Sequence, residues 1–263
     1  MLKKSIELLT YSNVWVSLCI VGLTAVTPLS MGEPISYSYL LFVFLGTWLT
    51  YNIQRYIKYQ KDPIDRKNIF PQNHLSKIKW IGLAVAMILL FIFITFELET
   101  QVILGLAAVL SLLYLPPFFA DQWSLREVPY VKIFLIAAVW TLVSFGSHLL
   151  EVRSQAIVGR FLFLLAITLP FDIRDMEKDH EYGLKTIPLW LGLKSTKLLG
   201  IVLFVVAIYL EGAIQHDWLL HFFGLLGGLM LLNVSHKKRE LYYGFTIESL
   251  SLLYFVLMWL SLL

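Results

Sequence analysis

The sequence is poor in charge. Only 15% of its 263 residues are Asp, Glu, Lys or Arg, where a water-soluble domain carries roughly a quarter. It holds a single cysteine, Cys19, which excludes an intrachain disulfide framework and a cysteine-built zinc site. It contains no phosphate-cradling Gly-rich loop, no nucleophile elbow, no paired-histidine metal motif and no internal repeat of the transporter kind. The net charge is only +3 and the basic residues fall in short loops, so no nucleic-acid partner is expected. These shortages exclude a soluble enzyme, a disordered chain and a disulfide-stapled secreted domain.

What the sequence does have is apolar length. Hydrophobic residues make up 58% of it and the mean hydropathy is +0.74. Nine apolar stretches stand out, at 10–30, 36–57, 78–97, 101–119, 131–150, 155–172, 196–213, 218–235 and 243–262. Their lengths suit a hydrocarbon layer of about 30 Å. Inside lipid every backbone polar group needs an internal partner, so these stretches are expected as helices. Runs such as Ile81 to Phe93 are apolar all round, without strand-type alternation. The expectation is an all-α, polytopic membrane bundle of nine transmembrane helices, with residues 1–263 forming one domain. Lys3 and Lys4 precede the first apolar stretch, but no small-residue cleavage pattern comes after it, so a retained first helix is expected rather than a signal peptide. Pro116 and Pro117 are expected to end the fourth span, and Gly224, Gly227 and Gly228 to let a neighbouring helix approach.

Charge asymmetry gives an orientation. The N-terminal tail and the loops near 55–79, 120–132, 172–197 and 236–240 hold 19 of the 21 Lys and Arg residues, leaving Arg153 and Arg160 on the other side. The basic side is expected in the cytoplasm, with the N-terminus there and the C-terminus outside. A bacterial inner (plasma) membrane is the expected setting. His148 and Arg160 are expected near the opposite interface. Any chemistry then belongs inside the bundle or at its cytoplasmic mouth.

The most informative segment runs from Leu169 to Gly192. On a helix continuing from the sixth span, Asp172, Asp175 and Asp179 are spaced i, i+3, i+7 and share one face. Three stacked carboxylates repel one another unless a cation lies between them. Oxygen-only ligands point to a hard ion such as Mg²⁺, which uses one or two carboxylates together with phosphate oxygens. Gly183 then ends the helix, and Thr186 and Pro188 begin a new segment. The plainer alternative is a hydrated loop in which Arg174, Lys178 and Lys185 pair with the acids. Ionisable residues at the end of a membrane helix favour a functional site.

The pattern Asp172-x-x-Asp175-x-x-x-Asp179-x-x-x-Gly183-x-Lys185-Thr186-x-Pro188-x-x-x-Gly192 resembles the second aspartate-rich motif of the UbiA superfamily of intramembrane prenyltransferases, nearest its menaquinone- and chlorophyll-pathway branch. Tyr114-Leu-Pro116-Pro117, with Leu125-Arg126-x-x-Pro129-x-x-Lys132, is similar to the family's loop between its fourth and fifth helices. The resemblance implies nine helices around a central cavity and Mg²⁺ held by two acidic motifs. The metal binds the diphosphate of an isoprenyl donor, and a hydrophobic, aromatic or quinone-type acceptor captures the allylic cation. Asp172, Asp175 and Asp179 are then the expected catalytic and metal-binding residues. Asn52, Arg55, Lys58, Arg126, Lys132 and Lys185 are the expected diphosphate contacts. The 18 Phe, 13 Tyr and 8 Trp residues permit an aromatic lining for the prenyl tail and its cation.

The first motif departs from the family pattern. Aligned on Asn52, the family's acids fall on Ile53, Tyr56 and Gln60; aligned on Asp65-Arg-Lys-Asn68, only Asp65 is kept as a metal ligand. Asn52, Arg55 and Lys58, at i, i+3, i+6, would make that face cationic. It either grips diphosphate directly, pairs with Asp172 or Asp175, or serves as an interfacial flank whose long side chains snorkel. Glu248 lies about 7–9 Å inside the ninth span and faces either the cavity or a hydrated helix end. Three functions are compatible with this pattern: a Mg²⁺-assisted prenyltransferase, a terpene cyclase of the same architecture, or a non-catalytic protein that binds a prenyl lipid or quinone.

Overall fold

The computed structural model describes residues 2–61, 75–114, 128–214 and 216–263. Side chains are described for these except at 2, 3, 58–61 and 75–78. Among the described residues the chain is helical and contains no strand. Helices α1 (Leu2–Tyr11), α2 (Val14–Met31), α3 (Tyr37–Lys61), α4 (Leu75–Phe93), α5 (Leu98–Tyr114) and α6 (Val131–Phe145) come first. They are succeeded by α7 (Ser154–Glu181), α8 (Ile187–Leu191), α9 (Leu193–Glu211), α10 (Asp217–Leu232) and α11 (Ser249–Leu260). A 3₁₀ turn at Gly146–His148 extends α6, and a π-helical turn at Tyr242–Ile247 leads into α11.

Each of the nine apolar stretches carries a helix. Among the described residues, five segments are long and apolar enough to cross a membrane: Val14–Met31, Val131–His148, Ser154–Glu181, Leu193–Glu211 and Tyr242–Leu260. The apolar helices Lys79–Phe93, Leu98–Tyr114 and Asp217–Leu232 are shorter. Large apolar side chains on the outer faces, among them Met87, Leu90, Phe91, Leu112 and Leu225, are 60% or more exposed. A soluble fold would not leave that much contiguous apolar surface in water; here it meets lipid. The protein is a multi-pass membrane protein. Pro116, Pro117, Asp65 and Arg126 lie outside the described residues.

Helix α7 packs against α6 and α9, α9 against α10, and α10 against α11; α11 packs on α2, which also meets α3 and α6. Phe163, Phe204, Phe223 and Tyr254, from α7, α9, α10 and α11, are fully buried, with ring centroids 5.1–6.3 Å apart. Such tilted and offset contacts add to burial itself. The α7–α9 contact is close because residue 159 is glycine: a Cβ there would stand 2.6 Å from the Glu211 backbone nitrogen.

Arg160 corrects an expectation. It is not interfacial but 1% exposed. Its Nε donates to Glu211 Oε1 at 2.8 Å and its Nη1 to the Leu23 carbonyl at 3.0 Å, while its Nη2 also meets Glu211 Oε1. The guanidinium carbon stands 4.7 Å from the centre of the Phe145 ring. A charge inside an apolar bundle needs such a partner, and this pair ties α7 to α9 and α2. His148 keeps a partly exposed position, 3.3 Å from Glu33 and 3.5 Å from Glu151.

Candidate functional site

Helix α7 runs unbroken through Asp172, Asp175 and Asp179, so the three acids do share one helix. It ends as the sequence suggests. Gly183 takes φ +67°, the Leu184 N–H donates to the Asp179 carbonyl and the Gly183 N–H to that of His180. That is the double hydrogen bond of a Schellman cap. The chain then turns back so that the Lys185 carbonyl accepts from the Tyr130 N–H at 3.0 Å. Tyr130 immediately precedes α6, and this contact sets Lys132 opposite α7.

Lys132 Nζ lies 2.6 Å from Asp172 Oδ1 and 3.7 Å from Asp179 Oδ2. All three side chains are buried. Asp175 is held differently: the Arg174 fork donates to both of its oxygens, at 2.9 and 2.8 Å. The same guanidinium stands over the rings of Phe171, at 5.2 Å, and Tyr243, at 5.7 Å, which fixes its plane.

Lys132, Asp172, Arg174 and Asp175 line one end of a cavity of about 190 Å³ between α2, α3, α5, α6 and α7. Lys132, Asp172, Arg174, Asp175 and Glu248 give it charge. From Asp172 the α7 wall runs inward through Thr168 and Ile167 to Leu164, eight residues or about 12 Å away. Ile20, Leu135, Val139, Tyr51 and Trp140 complete the inner wall, with Tyr51 and Trp140 stacked at 6.2 Å. The cavity therefore has an ionic end and an apolar, aromatic end.

The remaining expected site residues lie elsewhere. Helix α3 presents Thr50, Tyr51 and Gln54 to the cavity. Asn52 is buried, and its Nδ2 donates to the Trp48 carbonyl within the same helix at 2.7 Å. Arg55 donates to the Tyr11 carbonyl and, at 3.0 Å, to Asn13 Oδ1. It braces the α1–α2 junction, where Asn13 has φ +61°. The Lys185 side chain is exposed, and that of Lys58 lies outside the described residues. The sequence reading missed Thr50, Gln54, Ser111 and Thr168 as cavity residues. Their signal is a polar group one or two turns inside an apolar span.

A lipid-embedded helical bundle with an amphiphilic chamber at one end is thus the class of protein that the fold and site define. No family model matches the chain. The digeranylgeranylglyceryl phosphate synthase of Thermococcus sibiricus is 29% identical over 220 residues, which cover 79% of this chain and 75% of that one. A UbiA homologue from Archaeoglobus fulgidus, solved with GPP and Mg²⁺, superposes with a TM-score of 0.63 at 16% identity, covering 96% of this chain and 98% of that one. A structure described as that of digeranylgeranylglyceryl phosphate synthase superposes with a TM-score of 0.59 at 14% identity, covering 99% and 98%. The chain thus shares the fold of the UbiA homologues and is similar in sequence to the Thermococcus synthase.

Proposed function

We propose that this protein is an intramembrane prenyltransferase that moves an isoprenyl group from a prenyl diphosphate to a lipid-soluble acceptor. One observation carries the reading: Lys132, Arg174, Asp172 and Asp175 converge on one end of a cavity whose other end is apolar and aromatic. A prenyl diphosphate has the matching shape, an anionic head on an apolar chain. The relatives support it, one by its name as a prenylglyceryl phosphate synthase and another by its structure with GPP and Mg²⁺.

The donor set suits Mg²⁺. Asp172 and Asp175 offer only carboxylate oxygens, one turn apart, and both line the cavity. They are the residues that would hold the ion, with Asp179 and Asp65 as further candidates. Bound there, Mg²⁺ neutralises charge on the departing diphosphate. The chain's own cations share that work. Lys132 is placed to receive a diphosphate oxygen once Asp172 is engaged, and Arg174 offers a planar fork. Tyr51 and Trp140 present ring faces to the allylic carbon and keep water away from it. Contacts from Asn52, Arg55, Lys58, Arg126 and Lys185 belong to the proposal only through rearrangement or through the loops that flank the mouth.

The acceptor is either a glyceryl phosphate lipid, as the Thermococcus relative suggests, or an aromatic hydroquinone, as the sequence pattern of residues 172–192 suggests. Nine crossings rest on the apolar stretches, and a cytoplasmic mouth and an outward C-terminus on the charge asymmetry; both belong to the same proposal, as does a single domain over 1–263. The non-catalytic reading draws on the pairing of Lys132 and Arg174 with the acids, which neutralises them without a metal. Radiolabelled geranylgeranyl diphosphate, given to the purified protein with Mg²⁺ and each acceptor class, separates the two. Label appearing in an acceptor product supports the enzyme. Donor that binds but is neither transferred nor cyclised supports the binding protein, and a cyclised hydrocarbon supports the cyclase.

A further inference from the structure

We infer that Glu248 is the group that receives the proton the acceptor must lose, an inference that rests on the prenyl-transfer reading. Transfer breaks the C1–O bond of the donor, and its electron pair leaves with the diphosphate. A pair on the acceptor's oxygen or ring carbon forms the new bond to C1. The acceptor atom then carries one hydrogen too many, and the apolar wall at Leu164, Ile167 and Val139 has no group to take it. A carboxylate at the wall is the appropriate base.

Three cavity-lining carboxylates are described: Asp172, Asp175 and Glu248. Asp172 is engaged by Lys132 and Asp175 by Arg174. Among the described residues no hydrogen bond or ion pair reaches the Glu248 carboxylate, and the residue is half-buried and lines the cavity. It lies in the electrostatic field of Arg174 on α7, with Tyr51 on α3 and Cys19 on α2 also near it. It therefore stands on the wall that runs from the ionic end toward the aromatic end.

The backbone that presents it is unusual. Glu248 closes the π-helical turn Tyr242–Ile247, its N–H reaching back five residues to the Tyr243 carbonyl at 3.4 Å. Such a turn inserts a residue and rotates the rest of the helix, and it occurs most often at functional sites. A Phe245 carbonyl in this turn accepts from Trp15 Nε1 at 3.2 Å, and the two rings stack at 4.4 Å. Helix α2 thereby holds the turn, and with it the direction of Glu248.

The test uses the full chain in lipid vesicles with geranylgeranyl diphosphate and Mg²⁺, offering geranylgeranylglyceryl phosphate and naphthohydroquinone as acceptors. Donor binding and transfer are measured on wild type, Glu248→Gln and Glu248→Asp. The expected result is that Glu248→Gln binds donor within about threefold of wild type but transfers at least about 10²-fold more slowly, with Glu248→Asp recovering part of the rate. The donor ionised by Glu248→Gln should appear as prenyl alcohol or diene, a shift in products that a merely structural defect does not produce. Transfer by Glu248→Gln within threefold of wild type overturns the assignment, as does donor binding lost in proportion to transfer. A wild type that binds no prenyl diphosphate, or transfers to neither acceptor, overturns the prenyl-transfer reading itself.

Discussion

Lys132 Nζ lies 2.6 Å from Asp172 and 3.7 Å from Asp179, so a single ammonium joins two buried carboxylates that stand two helical turns apart. Without it, α7 would carry two like charges out of water. The cation belongs to α6, so the acidic face is stabilised only when α6 and α7 are packed. This couples the assembly of the bundle to the assembly of the site.

Lys132→Met keeps length and removes the charge. Breaking a buried pair from one side is worth about 3–5 kcal/mol of stability, and the melting temperature should fall accordingly. Millimolar Mg²⁺ should recover more of the loss in this variant than it adds to wild type, because a divalent ion can replace the missing cation. Thermal unfolding with and without Mg²⁺ checks both points; an identical Mg²⁺ response in the two proteins counts against metal binding on this face.

Arg160 and Glu211 make the second buried pair. Arg160→Met alone should destabilise by about 3–5 kcal/mol, whereas Arg160→Met with Glu211→Leu should lie much nearer wild type. A double-mutant cycle on the melting curves measures this. Equal losses in the single and double variants would mean that packing of α7 on α9, and not the charge pair, carries the stability.

Arg55 donates to the α1–α2 junction. Arg55→Gln should therefore lower the melting temperature through a lost charge-assisted hydrogen bond, about 1.5–3 kcal/mol. It should leave prenyl diphosphate affinity within about a factor of two, well under the 1.4 kcal/mol of a tenfold change. A tenfold loss of affinity with unchanged stability would restore Arg55 to the diphosphate site.

Gly159→Ala sets a methyl group 2.6 Å from the Glu211 backbone nitrogen. The neighbour is backbone, so α9 has to shift, at a cost of about 1–3 kcal/mol. The melting temperature of the variant tests this, and an unchanged value would mean that α9 yields freely.

Much of this arrangement is legible in the sequence, and the residues that are not share a cause. Nine of the helical segments come from apolar length alone, and the end of α7 comes from Gly183, since a positive φ is a local requirement. Asp172 and Asp175 at the cavity come from helical spacing. The partners of Arg160 do not, because Glu211 is 51 positions away and the Leu23 carbonyl further still. Spacing from Asn52 points Arg55 toward the diphosphate, yet the left-handed turn at Asn13 leaves carbonyls beside it that its guanidinium reaches first. Thr50 and Gln54 give only the weak signal of polarity in an apolar helix. Glu248 is visible as a carboxylate inside a span, but its direction depends on a π turn that no periodicity announces.

The central claim is that the acidic end of the cavity holds a prenyl diphosphate with the help of Mg²⁺. Isothermal titration of the purified protein with geranylgeranyl diphosphate, with and without Mg²⁺, tests it most directly, repeated on Asp175→Asn. Binding that requires Mg²⁺ in wild type and is lost in Asp175→Asn is the predicted result. Binding that is absent in wild type, or is the same with and without Mg²⁺ and unchanged in Asp175→Asn, would contradict it.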